Sequence, residues 1–327
     1  MIVTYILFVV GFVLLIKGAD ILVEGASSIA KRYAISELVI GLTIVSFGTS
    51  MPELIVNVLS SIQGSSELAI GNIFGSNVSN ILLILGISAM VRPLPIQRSI
   101  YFTEIPISIL AICLVGFLAN ANLFMPTHEL SISRYDGMIL ILFFGLFMTY
   151  IFVMSKENNG NDAQFDELED IKIMPAVKSL LYVCGGAIAL FLGGKWIVDG
   201  AVSMAVSLGL SEAFIGLTIV AVGTSLPELV TSVVAARKNK ADMAIGNVIG
   251  SNIFNLFWIL GLSATIKSLP FNVISNEDIL MLIFSSILLI LAVINGKKPM
   301  VSRLEGFAFV VFYFLYLAYL VAREEYF

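Results

Sequence analysis

The stretch GTSMPEL at residues 48–54 recurs as GTSLPEL at residues 223–229, and both copies lie inside long apolar segments. The recurrence belongs to a longer internal repeat, in which residues 36–89 align without a gap on residues 211–264 at a constant offset of 175. Of the 54 aligned positions, 28 are identical. The chain is therefore an internal duplication, and the repeated residues are the first candidates for function.

The composition indicates a membrane protein. The chain has 327 residues, of which 58% are apolar and 13% charged, whereas a soluble domain carries about a quarter charged residues. Ten segments are long and apolar enough for the roughly 20 residues that a helix needs to cross a bilayer. They lie at about 2–30, 38–63, 68–91, 99–119, 136–154, 175–207, 212–236, 242–267, 278–295 and 304–322. Since their apolar runs are continuous and not alternating, helices fit better than barrel strands. The sequence predicts an all-α membrane protein with ten transmembrane helices.

The repeat and the ten spans together predict an inverted architecture. Five spans per copy is an odd number, so the second copy enters the membrane from the opposite side. We expect a first five-helix repeat at 1–154, an acidic connector at 155–174 and a second, inverted repeat at 175–327. Inverted repeats are typical of secondary transporters, whose substrate sites lie near the membrane midplane.

The basic residues predict the orientation, because Lys and Arg in loops are retained on the cytoplasmic side. With ten spans, one face carries thirteen of the loop Lys and Arg residues and the other only Arg134, Lys267 and Arg323. This places both termini outside and the connector in the cytoplasm, as a multi-pass protein of the cell (inner) membrane. No polybasic cluster indicates nucleic-acid binding. The expected partners are the lipid bilayer and the transported ions, and no obligate protein partner is evident.

Glu53 and Glu228 are the charged residues of the repeated motif, and each lies in the middle of an apolar span. A charge at the centre of a membrane helix costs about 3 kcal/mol on insertion scales, so such residues usually face a partner or a polar cavity. One alternative is structural: Ser50 and Ser225 precede the glutamates by three residues, which is the spacing of a helix capping box.

Proline adds to the case for a binding cavity. Pro52 and Pro227 have no amide hydrogen, so the carbonyls of Gly48 and Gly223 lose their helical donors. At membrane depth, free carbonyls persist only where protein satisfies them or where they line a cavity. A bound cation would satisfy them.

Polar side chains recur at helical spacing on four of the predicted spans. The spacing i, i+4, i+8 gives two stripes in the third and eighth spans: Asn72, Ser76 and Asn80, and Asn247, Ser251 and Asn255. Single small polar residues are often only packing contacts between membrane helices. With the carboxylates, however, these residues form a set of oxygen ligands without sulfur or imidazole, which suits a hard cation. Two carboxylates neutralise one Ca²⁺ or two Na⁺, and no cofactor is implied.

Both halves carry G-T-S-x-P-E-L followed by I-G-N-x-x-G-S-N, and here the chain resembles the calcium/cation antiporter superfamily, especially prokaryotic sodium/calcium exchangers. The resemblance implies that the second, third, seventh and eighth spans form a core, across which the first and sixth spans slide as a gate. It implies that Glu53 and Glu228, with the Thr49 and Thr224 carbonyls, hold calcium. It also implies sodium sites, to which the following residues contribute: Ser46, Ser50, Ser76, Ala221, Ser225 and Ser251.

Two further positions follow from the resemblance. Asn80 matches the family pattern, whereas Asn255 stands where many members have aspartate. In potassium-dependent members that acid is associated with K⁺ binding, so its absence predicts transport without K⁺.

The expected function is therefore antiport of Ca²⁺ against Na⁺. A Ca²⁺/H⁺ antiporter stays open as the alternative, because a buried carboxylate can exchange a proton for a metal ion. A passive channel is a further alternative, and an enzyme is not expected because the only histidine, His128, lies outside the predicted spans. In the sixth span we expect Lys195 and Asp199 to pair, since they are four residues apart.

Overall fold

The computed structural model describes residues 2–121, 130–157, 173–207, 221–295 and 299–326. The described part of the first half forms eight α-helices: α1 Ile2–Tyr33, α2 Glu37–Ile40, α3 Ser46–Thr49, α4 Met51–Gln63, α5 Ser66–Ser79, α6 Leu85–Val91, α7 Ile105–Asn120 and α8 Arg134–Glu157. The described part of the second half forms seven more: α9 Ala176–Ser207, α10 Ala221–Thr224, α11 Leu226–Arg237, α12 Ala241–Ile253, α13 Leu260–Ile266, α14 Ser275–Asn295 and α15 Arg303–Tyr326.

Eight continuous helical segments of the described residues are long and apolar enough to cross a membrane. A ninth candidate is the pair Glu37–Thr49 and Met51–Gln63, which are bent by 50° at the break between them. The seventh predicted span, 212–236, lies partly outside the described residues. The chain is therefore a helical, multi-pass membrane protein, as its composition predicts.

The third and eighth spans form the centre of the molecule. In the segments Ser66–Val91 and Ala241–Ile266, 83% and 94% of the most apolar stretch is buried, against 22% in Arg134–Lys156. These two central segments carry the polar stripes. The polar residues are thus shielded from lipid by surrounding helices, as buried polar groups in a membrane require.

Several segments are wound as π-helix where α-helix is expected. They are Gly41–Val45, Asn80–Ile84, Ile100–Glu104 and Phe254–Ile259. A π turn adds a residue to the helical repeat, and such turns are rare and frequent at functional sites. Asn80 and Asn255 both lie in π-helical segments.

The long helices α1 and α9 pack with their backbones in close contact. A Cβ atom on Gly11 would lie 2.9 Å from the carbonyl oxygen of Gly193, and one on Gly25 would lie 2.8 Å from that of Ser179. A residue near the start of α1 therefore contacts a later residue of α9, and a later residue of α1 contacts one near the start of α9. The two helices run antiparallel, although they occupy equivalent positions in the sequence repeat.

Four strands of two residues each form two short antiparallel ladders. Leu94–Pro95 (β1) pairs with Met300–Val301 (β4), and Ser131–Ile132 (β2) pairs with Leu269–Pro270 (β3). Each ladder joins one half of the chain to the other.

The expected pairing of Lys195 with Asp199 is wrong. None of the ion pairs among the described residues joins them. Instead, both line a crevice. On α1, Asp20 and Glu24 accept contacts from Lys238, at 2.9 and 3.4 Å from its Nζ atom.

Candidate functional site

The repeated G-T-S-x-P-E-L motif interrupts its helix in both halves. The break falls at Ser50 (φ −84°, ψ 10°) and at Ser225 (φ −85°, ψ 3°), and each following helix begins with a proline in its first turn. Neither serine side chain caps the following helix. The capping-box interpretation is therefore wrong, and the two hydroxyls are available for other contacts.

Glu53 and Glu228 lie in the first turns of α4 and α11, directly after these breaks. Each is 1% exposed. Helix N-termini favour negative charge, which partly offsets the cost of burial. The Oε2 atoms of both glutamates are buried and make no hydrogen bond within the described residues. Two buried acceptors in this state call for a cation or a proton.

The hydroxyl of Ser50 connects the two halves at this point. Its Oγ lies 2.9 Å from Oε1 of Glu228, to which it donates, and 3.1 Å from Oγ of Ser251. Ser225, the equivalent of Ser50, is buried, and its Oγ has no hydrogen-bond partner among the described residues. The two copies of the motif therefore differ in sequence only at Met51 and Leu226, yet their serines differ in their contacts.

The threonines of the motif make equivalent contacts across the halves. Thr49 Oγ1 donates to Oδ1 of Asn247 at 3.0 Å, and Thr224 Oγ1 donates to Oδ1 of Asn72 at 3.3 Å. Both asparagines belong to the polar stripes on the central helices. The broken helix of each half is thus fixed against the central helix of the other half.

Asn80 and Asn255 each use their amide nitrogen and leave their oxygen free. Nδ2 of Asn80 donates to Oδ1 of Asn252 at 2.9 Å, and Nδ2 of Asn255 donates to Oγ of Ser76 at 3.0 Å. The Oδ1 atoms of Asn80 and Asn255 are buried and have no partner within the described residues. Like the glutamates, they present acceptors that protein donors do not satisfy.

The remaining predicted site residues are placed as follows. Ser76 donates to the carbonyl of Ile73 at 3.1 Å, so it can accept from Asn255. Ser46 is fully buried and donates to the carbonyl of Thr43 in its own helix at 3.1 Å. Ala221 is the first residue of α10. The structure therefore connects Ser50, Ser251 and Glu228 directly, whereas it leaves Ser46 bonded within its own helix.

Two asparagines of this network were missed in the sequence: Asn77 and Asn252. They lie one residue off the predicted stripes and are almost fully buried. The available signal was their recurrence in the repeated G-S-N tripeptide.

The site's donor set is two carboxylates with neutral amide and hydroxyl oxygens. Within the described ranges, no group of three or more His, Cys, Asp or Glu side chains could hold a metal ion. Carboxylate and neutral oxygens suit the hard cations of groups 1 and 2. The fold and these residues together define a polytopic membrane protein with a buried cluster of carboxylate, amide and hydroxyl oxygens at its centre.

The chain belongs to the sodium/calcium exchanger protein family, whose sequence profile matches residues 3–153 and 178–322. This confirms the resemblance that the repeated motifs indicate. The putative antiporter CaxA of Alkalimonas amylolytica is 35% identical over 94% of this chain and 95% of its own length. The sodium/calcium exchanger MaX1 of Methanosarcina acetivorans is 34% identical over 90% of this chain and 91% of its own.

The fold is also similar to a solved structure of the sodium-calcium exchanger NCX_Mj, soaked with 2.5 mM Na⁺ and 0.1 mM Ca²⁺. The TM-score is 0.80 at 31% identity, and the match covers 97% of this chain and 98% of that one. The helical membrane fold is thus the fold of a known exchanger. The relatives named here are antiporters and exchangers, not enzymes.

Proposed function

We propose that the protein is a secondary active antiporter that exchanges Ca²⁺ for Na⁺ across the cell membrane by alternating access. The observation that carries the proposal is the pair of buried carboxylates, Glu53 and Glu228, whose Oε2 atoms have no partner within the described residues. Because two carboxylates neutralise either one Ca²⁺ or two Na⁺, one oxygen site can serve both ions in turn. The names of the exchanger MaX1 and the antiporter CaxA support this direction.

In this proposal, Ca²⁺ is held by the two glutamates and by the backbone carbonyls of Thr49 and Thr224. The helix breaks at Ser50 and Ser225 and the missing amide hydrogens of the following prolines support a role for carbonyls here. Sodium would occupy neighbouring sites that include the hydroxyls and carbonyls of Ser46, Ser50, Ser76, Ala221, Ser225 and Ser251. Asn80 and Asn255 contribute amide oxygens.

Alternating access is often built on inverted repeats, and we propose two inverted five-helix repeats, 1–154 and 175–327, with ten spans in all. The antiparallel packing of α1 on α9 supports this inversion, and so do the two ladders that each join opposite halves. We assign α1 and α9 as the gate. A crevice of about 320 Å³ lies beside α9, and its lining includes Pro52, Thr224 and Pro227 from the two motifs.

The test uses purified protein in proteoliposomes loaded with Na⁺, diluted into Na⁺-free medium that contains ⁴⁵Ca²⁺, at equal pH on both sides. We expect uptake that stops when the Na⁺ gradient is collapsed. Uptake driven by a pH gradient and insensitive to Na⁺ would make the protein a Ca²⁺/H⁺ antiporter. Uptake without any counter-ion gradient would make it a channel, and either result would refute the proposal.

The same vesicles test whether K⁺ takes part. Asn255 can offer an oxygen but no charge, and its amide nitrogen is already bonded to Ser76. We therefore expect the same initial rate of Na⁺-driven uptake when K⁺ is replaced by choline on both sides. A rate that falls severalfold without K⁺ would contradict this part of the proposal.

A further inference from the structure

We propose that Asn77 and Asn252 are positioning residues of the site: without touching the cation, they orient Asn80 and Asn255 so that their Oδ1 atoms face it. The inference rests on the proposed function, because it assigns a role within the same cation site. It concerns two residues on the central helices that bind each other and not the ion.

The two asparagines make reciprocal contacts with each other's backbone. Nδ2 of Asn77 donates to the carbonyl oxygen of Asn252 at 3.1 Å, and Nδ2 of Asn252 donates to the carbonyl oxygen of Asn77 at 3.3 Å. The residues are 0% and 1% exposed. They are also equivalent in the sequence repeat, so the pair lies where the two halves meet.

These contacts determine which way each amide faces. Nitrogen and oxygen of an amide side chain are usually assigned from the surrounding hydrogen bonds. A backbone carbonyl can only accept, so the side chains of Asn77 and Asn252 must turn their nitrogens toward each other's carbonyls. Their Oδ1 atoms then point away from those carbonyls and can accept from other donors.

The side chains of Asn77 and Asn252 in turn orient the proposed ligands, Asn255 and Asn80. Oδ1 of Asn77 accepts from Nδ2 of Asn255 at 2.9 Å, and Oδ1 of Asn252 accepts from Nδ2 of Asn80 at 2.9 Å. Since an amide oxygen only accepts, the nitrogens of Asn80 and Asn255 are bound to these contacts. Their own oxygens are left without protein partners. Two backbone carbonyls thereby set the direction of four side-chain amides.

Asn80 and Asn255 differ in how many side-chain acceptors hold their amide nitrogens. Asn255 has a second acceptor in Ser76, at 3.0 Å. For Asn80, by contrast, Asn252 is the one side-chain acceptor that the described residues provide. Loss of Asn252 should therefore release Asn80 completely, whereas loss of Asn77 leaves Asn255 partly held.

The experiment measures Ca²⁺ binding by calorimetry on the full-length protein in detergent, in Na⁺-free buffer. Residues that orient metal ligands typically contribute about 10- to 100-fold in affinity. We expect a loss in this range for Asn252→Leu and a smaller loss for Asn77→Leu. Asn120→Leu is the matched control, because it breaks another amide pair, with Asn276, at helix ends away from the site. Its affinity should equal that of the wild type.

Double variants separate positioning from a general structural role. In an Asn80→Ala background, Asn252→Leu should cause no further loss, because the oxygen that it orients is already gone. In an Asn255→Ala background it should cause its full loss. The reverse pattern is expected for Asn77→Leu. A structural role would reduce affinity equally in both backgrounds, and that result would overturn the proposal.

The outcomes also distinguish this inference from the proposed function. If wild-type protein binds no Ca²⁺, or if Glu53→Gln binds it normally, the proposed function fails. If the glutamate variants lose binding and Asn252→Leu keeps it, only the positioning role fails. Should the leucine variants not fold, Asn252→Ser and Asn77→Ser are the milder replacements. Failure of these to fold as well would assign the pair to folding and overturn the proposal.

Discussion

At the scale of single residues, the proposed ion exchange depends on Glu53 and Glu228. Each follows a break in its helix, and each keeps one buried oxygen that no described residue satisfies. The contact from Ser50 to Glu228 crosses between the halves. In the proposed site the two carboxylates bind the cation together, and neither is expected to bind Ca²⁺ without the other.

We predict that Glu53→Gln or Glu228→Gln abolishes Ca²⁺ exchange while the protein stays folded. The substitution keeps the shape and removes one of the two charges. The lost carboxylate and the bound Ca²⁺ form a buried pair of opposite charges. Losing one partner of such a pair costs about 3–5 kcal/mol, which corresponds to at least about 100-fold in affinity. ⁴⁵Ca²⁺ uptake into vesicles measures it, with Glu67→Gln, an exposed glutamate of α5, as the control. Exchange near the wild-type rate in either site variant would refute the proposed site.

Protons should compete with Ca²⁺ for the same carboxylate oxygens. Only the ionised pair offers full charge to the metal, so apparent Ca²⁺ affinity should fall as the medium is acidified from mildly basic to mildly acidic pH. Bound Na⁺ or Ca²⁺ stabilises the ionised pair, so the dependence should weaken once the site is occupied. Calorimetric titration at several pH values, without Na⁺, tests this. An affinity that does not change over the range would mean that the glutamates do not ligate calcium.

Among the elements, α1 and α9 meet at several glycines, where their backbones come close together. A Cβ atom on Gly186 would lie 2.7 Å from the carbonyl oxygen of Gly18 and 2.7 Å from Cβ of Leu22. A Cβ on the neighbouring Gly185 would meet no heavy atom within 4 Å. One helix thus offers two adjacent glycines, of which one faces a close backbone contact.

We predict that Gly186→Ala slows exchange and destabilises the protein by about 1–3 kcal/mol, the usual cost of overpacking. The added methyl group forces α1 and α9 apart, and these are the helices that we assign as the gate. Gly185→Ala should leave both rate and stability unchanged. Thermal unfolding in detergent and initial uptake rates measure the two effects. Equal behaviour of the two variants would mean that close contact between these helices is not required.

The elements also show what the sequence could predict. Continuous apolar runs predicted the membrane helices, and the proline within each motif predicted a disturbed helix, from Gly48 to Pro52 in the first copy and from Gly223 to Pro227 in the second. The π-helical turns at Asn80 and Asn255 were not predicted, because an inserted residue leaves no mark on apolar periodicity. Likewise, the ion pair from Lys238 to Asp20 joins the turn after α11 to α1. Spacing within one helix could only suggest the pairing of Lys195 with Asp199, which is wrong.

The candidate site shows the same limit. Repetition in both halves singled out the glutamates, and helical spacing singled out Asn80 and Asn255. The exchange of hydrogen bonds between Asn77 and Asn252 depends on how two distant helices cross. That crossing is a property of tertiary packing, which periodicity in either helix does not contain.

For the whole molecule, we predict that both termini lie outside and that the connector at 155–174 is cytoplasmic. With Cys113 and Cys184 replaced by serine, Ser155→Cys should react with a membrane-impermeant maleimide only after the cytoplasmic side is exposed. Ser65→Cys, in the exposed turn before α5, should react in intact cells. The opposite labelling pattern would reverse the orientation, because the two positions lie at opposite ends of the predicted spans.

Both ladders, β1 with β4 and β2 with β3, pair a strand of the first half with a strand of the second. This pairing predicts how the molecule can be assembled from separate halves. Each half supplies one strand to each ladder, so neither half satisfies its own strand edges. The glycine-containing face of α1 likewise packs against α9, which belongs to the other half. We therefore expect the two halves to stay associated without the peptide link between them. A gene split between the codons for residues 158 and 172 should give two fragments that co-purify when expressed together, and neither should accumulate by itself.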